Sequence, residues 1–544
     1  MLKRKKKDSF HKFKVLLYIC FLASITGFLS ACKTPEQLVT QADVDSYEIL
    51  EEKWQDDFGE MVNYEIRDDV ADINEILAEI PSSGIISLAD AVEIATKFSR
   101  QYQSQKESLY TSALNLTLTR HNYARQWFGT FDAEYRNSRD SEDNSVSSSA
   151  GVSQQFVTAA GIIANAGLSL DWTRFLSGDP YTSLGSVLSA SVTAPLLGNV
   201  AGKQAWESLT QAERNVLYQI RSFNRYRQTF VVSIINSYYN VLQQRERLEI
   251  TRASYERQAL STERLRMEVE VGQRAQSEAD RQEQSLLSAE NNLVSTEQNY
   301  LQTLDSFKVS LSLPTEAEIE LDPNELVTLG ELGVAEPEYS VEDAIEMALE
   351  RRLDLVNTRD RLDDTRRGLI LAADGLGVQA VLTGSTNVTS PSGETNFTNL
   401  EFRDGTYTLG VGVDLTFDQV SERNNYRRAL ISMQSALRGY DEEIENIKLA
   451  VRQAYRNLIE TAESYEIQQI GVELAERRVQ EQQLLMEFGR GTVETLLAAE
   501  DDLVSAQNSL TSALVSHLNA KLSFFRDIGI LAVKPDGMWE QRIK

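Results

Sequence analysis

The sequence predicts a mainly α-helical protein that carries strands of membrane-spanning length and is built from one unit used twice. Three observations predict it. None of the nine prolines falls in 199–313 or 392–534, and proline-free stretches rich in Gln, Glu, Arg, Ala and Leu favour unbroken helix. The segments between them alternate apolar and polar residues, most clearly over Tyr407 to Phe417, which is the period of a half-buried strand and the length of a transmembrane one. Landmarks also recur: the helix openings Ser87 and Ser340 stand 253 residues apart, and Gly272 and Gly489 stand 217 apart, as expected of an internal repeat.

The N-terminus is an address. Lys3 to Lys7 are basic, and an apolar run extends from Val15 to about Leu29, the two parts of a secretory signal peptide over 1–31. It closes on Leu29-Ser30-Ala31-Cys32, which resembles the lipobox of bacterial lipoproteins. That resemblance makes Cys32 the lipidation site and the first mature residue, carrying covalent lipid (diacylglycerol and palmitate) as the only added group. Lys33 follows where an Asp would signal inner-membrane retention, so outer-membrane delivery is expected. Removal of the signal takes Lys+Arg from 54 to 47 and Asp+Glu from 81 to 80, a mature balance of −33. Segment 32–86 is acidic and is expected to be an irregular periplasmic tether ending at Pro81-Ser82-Ser83-Gly84.

The body follows in order. Ser87 with Asp90 opens a helix over 87–127, capped by a hydroxyl and an acid three residues on. Residues 128–198 hold up to four alternating segments, among them Ala164 to Trp172 and Leu188 to Ala194. A long helical hairpin spans 199–312 with its tip near Gly272, one arm of roughly 65–70 residues, or roughly 100 Å, and one of roughly half that. A linker at 313–339 leads to the second unit: a helix over 340–377, strands over 378–420, a hairpin over 421–530 with its tip near 489, and a tail at 531–544. The shorter arms carry seams at spacings of three and four, Leu286-Ala289-Leu293-Thr296-Tyr300-Thr303-Phe307 and Leu496-Ala499-Leu503-Ala506-Leu510-Ala513-His517, the pattern of coiled coils. Alternation alone leaves the strands open between a soluble sandwich and a membrane wall. The lipobox and the helical hairpins favour the wall.

Composition excludes several functions. Two cysteines and three scattered histidines argue against a disulfide framework or a zinc enzyme. A net charge of −27 disfavours nucleic-acid binding. No nucleophile–base pair, phosphate loop or metal-ligand spacing stands out, so no catalytic residue, metal or soluble cofactor is expected.

A doubled unit of helix, strands and long helical hairpin resembles the TolC-like outer-membrane efflux proteins. The resemblance covers about 87–530 and rests on Ser87-Leu88-Ala89-Asp90-Ala91, Ser340-Val341-Glu342-Asp343-Ala344, the tips Val271-Gly272-Gln273-Arg274 and Phe488-Gly489-Arg490-Gly491-Thr492, and Pro195-Leu196-Leu197-Gly198 before a long helix. It implies a homotrimer whose protomers close a β-barrel above a helical tunnel, set in outer-membrane lipid. It further implies a periplasmic adaptor and an inner-membrane pump as partners, with the tips at 272–278 and 489–495 docking the adaptor. The implied role is an exit duct for small toxic compounds or for type I protein secretion. The alternative is a non-channel periplasmic coiled-coil lipoprotein. The resemblance implies four barrel strands per protomer, two in each unit, so with the extra alternating segments near 150–173 either the barrel gains strands or an extra hairpin decorates it; four are expected. The gate is expected at the tips, where Glu278 matches an acidic position of the family. Thr495 and Ala498 stand where the second tip would carry aspartates, which leaves Glu494, Glu500 and Asp501 beside Gly489 and Gly491 as substitutes. Acidic groups along a pore favour cations.

Overall fold

The computed structural model describes residues 33–58, 64–67, 72–137, 144–158, 161–176, 182–198, 200–334, 339–391, 399–415, 417–534 and 539–541. The signal segment and Cys32 lie outside them.

Four helical struts organise the molecule. The long ones are α5 (Val200–Glu270, 71 residues) and α10 (Val420–Glu487, 68 residues), each followed by a 35-residue return arm, α6 (Gln276–Ser310) and α11 (Val493–Asp527). At about 1.5 Å per residue the long arms span about 100 Å and the return arms about 52 Å. The upper half of each unit is completed by two shorter helices, not by the single helix expected. In the first unit α3 (Leu88–Phe98) stops at Ser99 and α4 (Arg100–Tyr123) restarts there. In the second, α8 (Val341–Arg351) stops at Arg352 and α9 (Leu353–Asp374) restarts. Both break residues adopt extended backbone, with ψ of 125° and 117°, and they are again 253 positions apart. Neither break needs glycine or proline, because one extended residue both ends and caps a helix.

The expected irregular tether is instead largely helical. Helix α1 (Pro35–Phe58) lies on α4 and α5, burying Ile49, Leu50 and Trp54. Trp54 packs edge-on to Phe223, the Tyr110 hydroxyl donates to Asp43 at 2.6 Å, and Lys53 pairs with Glu213 at 2.7 Å. The short helix α2 (Ile73–Ala78) follows, capped by Asp72.

Midway along the struts, β1 (Ile85–Ile86) and β6 (Glu320–Leu321) pair in parallel. The Tyr238 hydroxyl donates to the Ile86 carbonyl at 3.0 Å and Arg245 to that of Leu321 at 3.0 Å, which fixes this belt to α5. Helix α7 (Asn324–Leu332) and the antiparallel pair β9 (Leu531–Val533) and β10 (Trp539–Gln541) complete it. The main core gathers here, around Phe223, Tyr238 and Phe307; a second cluster joins Ala344 and Ala348 to Val451 and Phe524. His517 is buried with its Nδ1 3.4 Å from Thr461 Oγ1, and burial lowers its pKa.

At the other end of the upper struts stands one antiparallel sheet. Its order is β2 (Gln126–Asn137), β3 (Asn144–Val157), β4 (Ile163–Phe175), β5 (Thr182–Leu197), β7 (Gln379–Thr389), β8 (Thr406–Asp414). The sheet holds six strands where four were expected, and the extra hairpin, β3 and β4, is hydrogen-bonded between β2 and β5. Strand β7 was not singled out by alternation. Pro195, which lacks an N–H, sits where the β5–β7 register shifts.

Candidate functional site: a two-faced sheet and paired hairpin tips

The sheet register sorts residue types by face. Directly opposed residues in an antiparallel pair share a face. One row runs Leu188–Val388 between β5 and β7, Leu168–Leu188 between β4 and β5, and Val152–Leu168 between β3 and β4. The same face carries Trp127, Phe131 and Tyr135 on β2, Trp172 on β4, Val192 on β5, and Tyr407, Leu409, Val411 and Val413 on β8. Leu409 is 79% exposed and Trp127 69%, so a broad apolar face is open to its surroundings. The opposite face carries Ser147, Ser149, Gly151, Ser153, Asn165, Gly167, Ser169, Ser189, Ser191, Thr383, Ser385 and Thr408. Its charged residues include Asp132, Glu134, Asp171 and Asp414 against Arg136, and Asp132, Ser149 and Asp171 share one cross-strand row. Sequence reasoning did not single out these acids. Their signal was parity within an alternating strand.

The strands are inclined. Gln126, at the start of β2, shares a row with Gln155, Asn165 and Ser191, whereas Gln379 and Asp414 pair beyond Leu197. The start of the strands therefore shifts by about 20 Å along the chain over about 24 Å of sheet width, a tilt near 40°, the value that barrels require.

The hairpin tips are built alike. Gly272 (φ +75°) and Gly489 (φ +67°) end α5 and α10 in the left-handed region. Gln273 N–H bonds the Glu268 carbonyl at 2.9 Å, and Arg490 N–H bonds that of Leu485 at 2.8 Å. Both bonds span five residues, the Schellman closure that glycine permits. Ser312 (φ +63°) and Gly529 (φ +76°) end the return arms in the same way, again 217 positions apart. Gly491 has a different role: a Cβ there would lie 2.8 Å from the Met486 nitrogen.

The expected acidic residues do not converge on one point. Glu278 sits in the first turn of α6, 3.5 Å from Arg274. Glu494 crosses to Arg281 at 2.9 Å, joining the two hairpins. Glu500 is buried, and burial raises its pKa against the opposing pull of Arg257. It lines a cleft of about 370 Å³ with Arg257, Arg274, Gln282 and Met486. Asp501 is also raised, by burial and by Asp502, and faces a second, more central cleft with Arg247 and Glu460. Asp502 itself pairs with Arg478 of the adjoining arm. Arg281 and Arg478 were missed because their partners are distant in sequence. Among the described residues there is no group of three or more metal-ligating side chains, and no helix long and apolar enough to cross a membrane.

No protein-family model and no curated protein matches the chain. Solved structures do. The CmeC outer-membrane channel of Campylobacter jejuni superposes with a TM-score of 0.59 at 12% identity, covering 88% of this chain and 90% of that one. VceC, an outer-membrane protein of Vibrio cholerae, gives 0.58 at 13%, covering 81% and 96%. The open state of the Neisseria gonorrhoeae MtrE outer-membrane channel gives 0.60 at 13%, covering 81% and 88%. These identities speak to architecture, and on that basis the chain has the fold of the TolC-like outer-membrane channels.

Proposed function

We propose that this protein is an outer-membrane duct, a conduit and not an enzyme, in which three copies close a β-barrel over a helical tunnel. The observation that carries the proposal is the two-faced, tilted sheet set on struts of about 100 Å. An apolar face suits lipid, and a face of serine, threonine and glycine suits a water-filled passage. A periplasmic spacer has no use for such a sheet, which disfavours the alternative of a non-channel coiled-coil lipoprotein. Among the described residues β2 and β8 are the outermost strands of the sheet, and an open sheet edge cannot persist in hydrocarbon. Leu287, Val294 and Leu301, seven residues apart on α6, are exposed in the single chain, as are Ile467, Ile470 and Leu474 on α10. Both are heptad-spaced stripes that a neighbouring copy would cover. We read the two halves as copies of one ancestral unit.

The duct would be anchored by lipid on Cys32. Its tips, around Gly272, Glu278, Gly489, Gly491 and Glu494, would meet a periplasmic adaptor beneath which an inner-membrane pump selects the cargo. Efflux of small toxic compounds and type I protein secretion both use such a duct. Membrane fractionation with unheated gel electrophoresis tests the reading. A heat-modifiable trimer in the outer-membrane fraction is expected; a monomer in the soluble periplasm would refute it.

A further inference from the structure

We propose that the β3–β4 hairpin is part of the pore wall, so that three copies close an eighteen-stranded barrel and the duct crosses the membrane without narrowing. The proposal rests on the trimeric duct described above and deepens it.

The first support is the ladder. β2 pairs with β3 over the whole of Gln126–Asn137, and β4 pairs with β5 from Ile163 to Arg174. A hairpin that merely decorated a four-stranded wall would leave β2 bonded to β5. Here the two are separated by the whole hairpin.

The second is sidedness. Val152, Leu168, Leu170 and Trp172 of the hairpin fall on the face that carries Leu188, Val388 and Leu409 elsewhere. A hairpin standing in water outside the membrane would need no such agreement. Its other face is polar and mostly small, with Ser147, Ser149, Gly151, Gly167 and Ser169 beside Gln155, Asn165 and Asp171, so it lines the passage and does not plug it.

The third is fit. The upper struts lie in the order α4, α5, α9, α10, and they join β2, β5, β7 and β8 in the same order. Three copies make a ring of twelve helices. At an interaxial spacing of 8–10 Å its perimeter is about 96–120 Å. Strands 4.8 Å apart and tilted near 40° give a perimeter of about 75 Å for twelve strands and about 113 Å for eighteen. Six strands per copy therefore bring the barrel to the width of the tube beneath it. Four would taper it at the membrane. Selection by size then falls to the hairpin tips and not to the membrane section.

The test compares the full chain with a variant in which residues 138–181 are replaced by an Asn-Gly turn, so that β2 meets β5. Both are placed in planar bilayers, and neutral polyethylene glycols of graded size are added on the extracellular side. The full chain should admit polymers about 1.5-fold larger in radius than the shortened variant; equal cut-offs would overturn the proposal. A second measurement needs no deletion. In outer-membrane trimers of the full chain, Asp132→Cys with Ser149→Cys and Ser169→Cys with Val187→Cys should each crosslink. A crosslink from Asp132→Cys to Ser183→Cys, Gly185→Cys or Val187→Cys instead would overturn it. Loss of the trimer in the unmodified chain would sink the duct reading itself, whereas a trimer with a β2–β5 crosslink sinks only the eighteen-stranded wall.

Discussion

Leu168 of β4 stands directly opposite Leu188 of β5, and each has a small neighbour, Gly167 and Ser189, paired on the other face. The two faces therefore predict opposite responses to charge. Leu168→Arg should lower the stability of the membrane-inserted protein by about 2–4 kcal/mol if it sits near the bilayer midplane, and Ser169→Arg by far less. The melting temperature of the unheated oligomer in detergent and lipid measures both. Equal losses would mean that the faces are not distinguished by their surroundings.

The tips predict a graded series. Gly272→Ala and Gly489→Ala place a Cβ in the left-handed region and should each cost about 1 kcal/mol. Gly491→Ala adds a clash at 2.8 Å with the Met486 nitrogen and should cost more. Limited proteolysis at the tips reports the loosening, with cleavage rate rising alike for Gly272→Ala and Gly489→Ala and most for Gly491→Ala. A silent Gly491→Ala would contradict the packing.

Glu500 predicts a pH dependence. Burial holds its pKa above the ordinary carboxylate value, so its contribution to stability is full below the unfolded-state value and is lost as pH rises through the folded-state value. Glu500→Gln should raise the melting temperature at neutral pH, and the gain should shrink as pH falls through the raised folded-state value and vanish below about 4.3. A variant less stable at neutral pH would show that Arg257 outweighs the cost of burial.

The polar face of the sheet predicts selectivity. Asp132, Glu134, Asp171 and Asp414 outnumber Arg136 there, so the open channel should prefer cations. Asp132→Asn with Asp171→Asn should reduce the reversal potential measured in a salt gradient, and Leu409→Ala on the opposite face should leave it unchanged. Anion preference in the unmodified protein would contradict the assignment of the lining.

Much of the architecture was legible because its signals are local. Proline-free stretches marked the long arms, and glycines marked their ends. What was missed lacks a local signal. Ser99 and Arg352 break their helices without glycine or proline, so sequence pattern ran through them. The acidity of 35–58 masked the spacing of Ser46, Ile49, Leu50 and Trp54, which buries one face of α1. The position of the β3–β4 hairpin between β2 and β5 was left open because alternation gives a strand's faces but not its neighbours. The tip acids carried the right residue types, yet their partners, Arg281 and Arg257 among them, come from other helices.

The central claim is that copies of this chain enclose a continuous aqueous passage. Conductance of the purified full-length protein in a planar bilayer tests it most directly. Discrete, cation-selective steps are predicted; a bilayer that stays electrically silent with trimers demonstrably inserted would contradict the account.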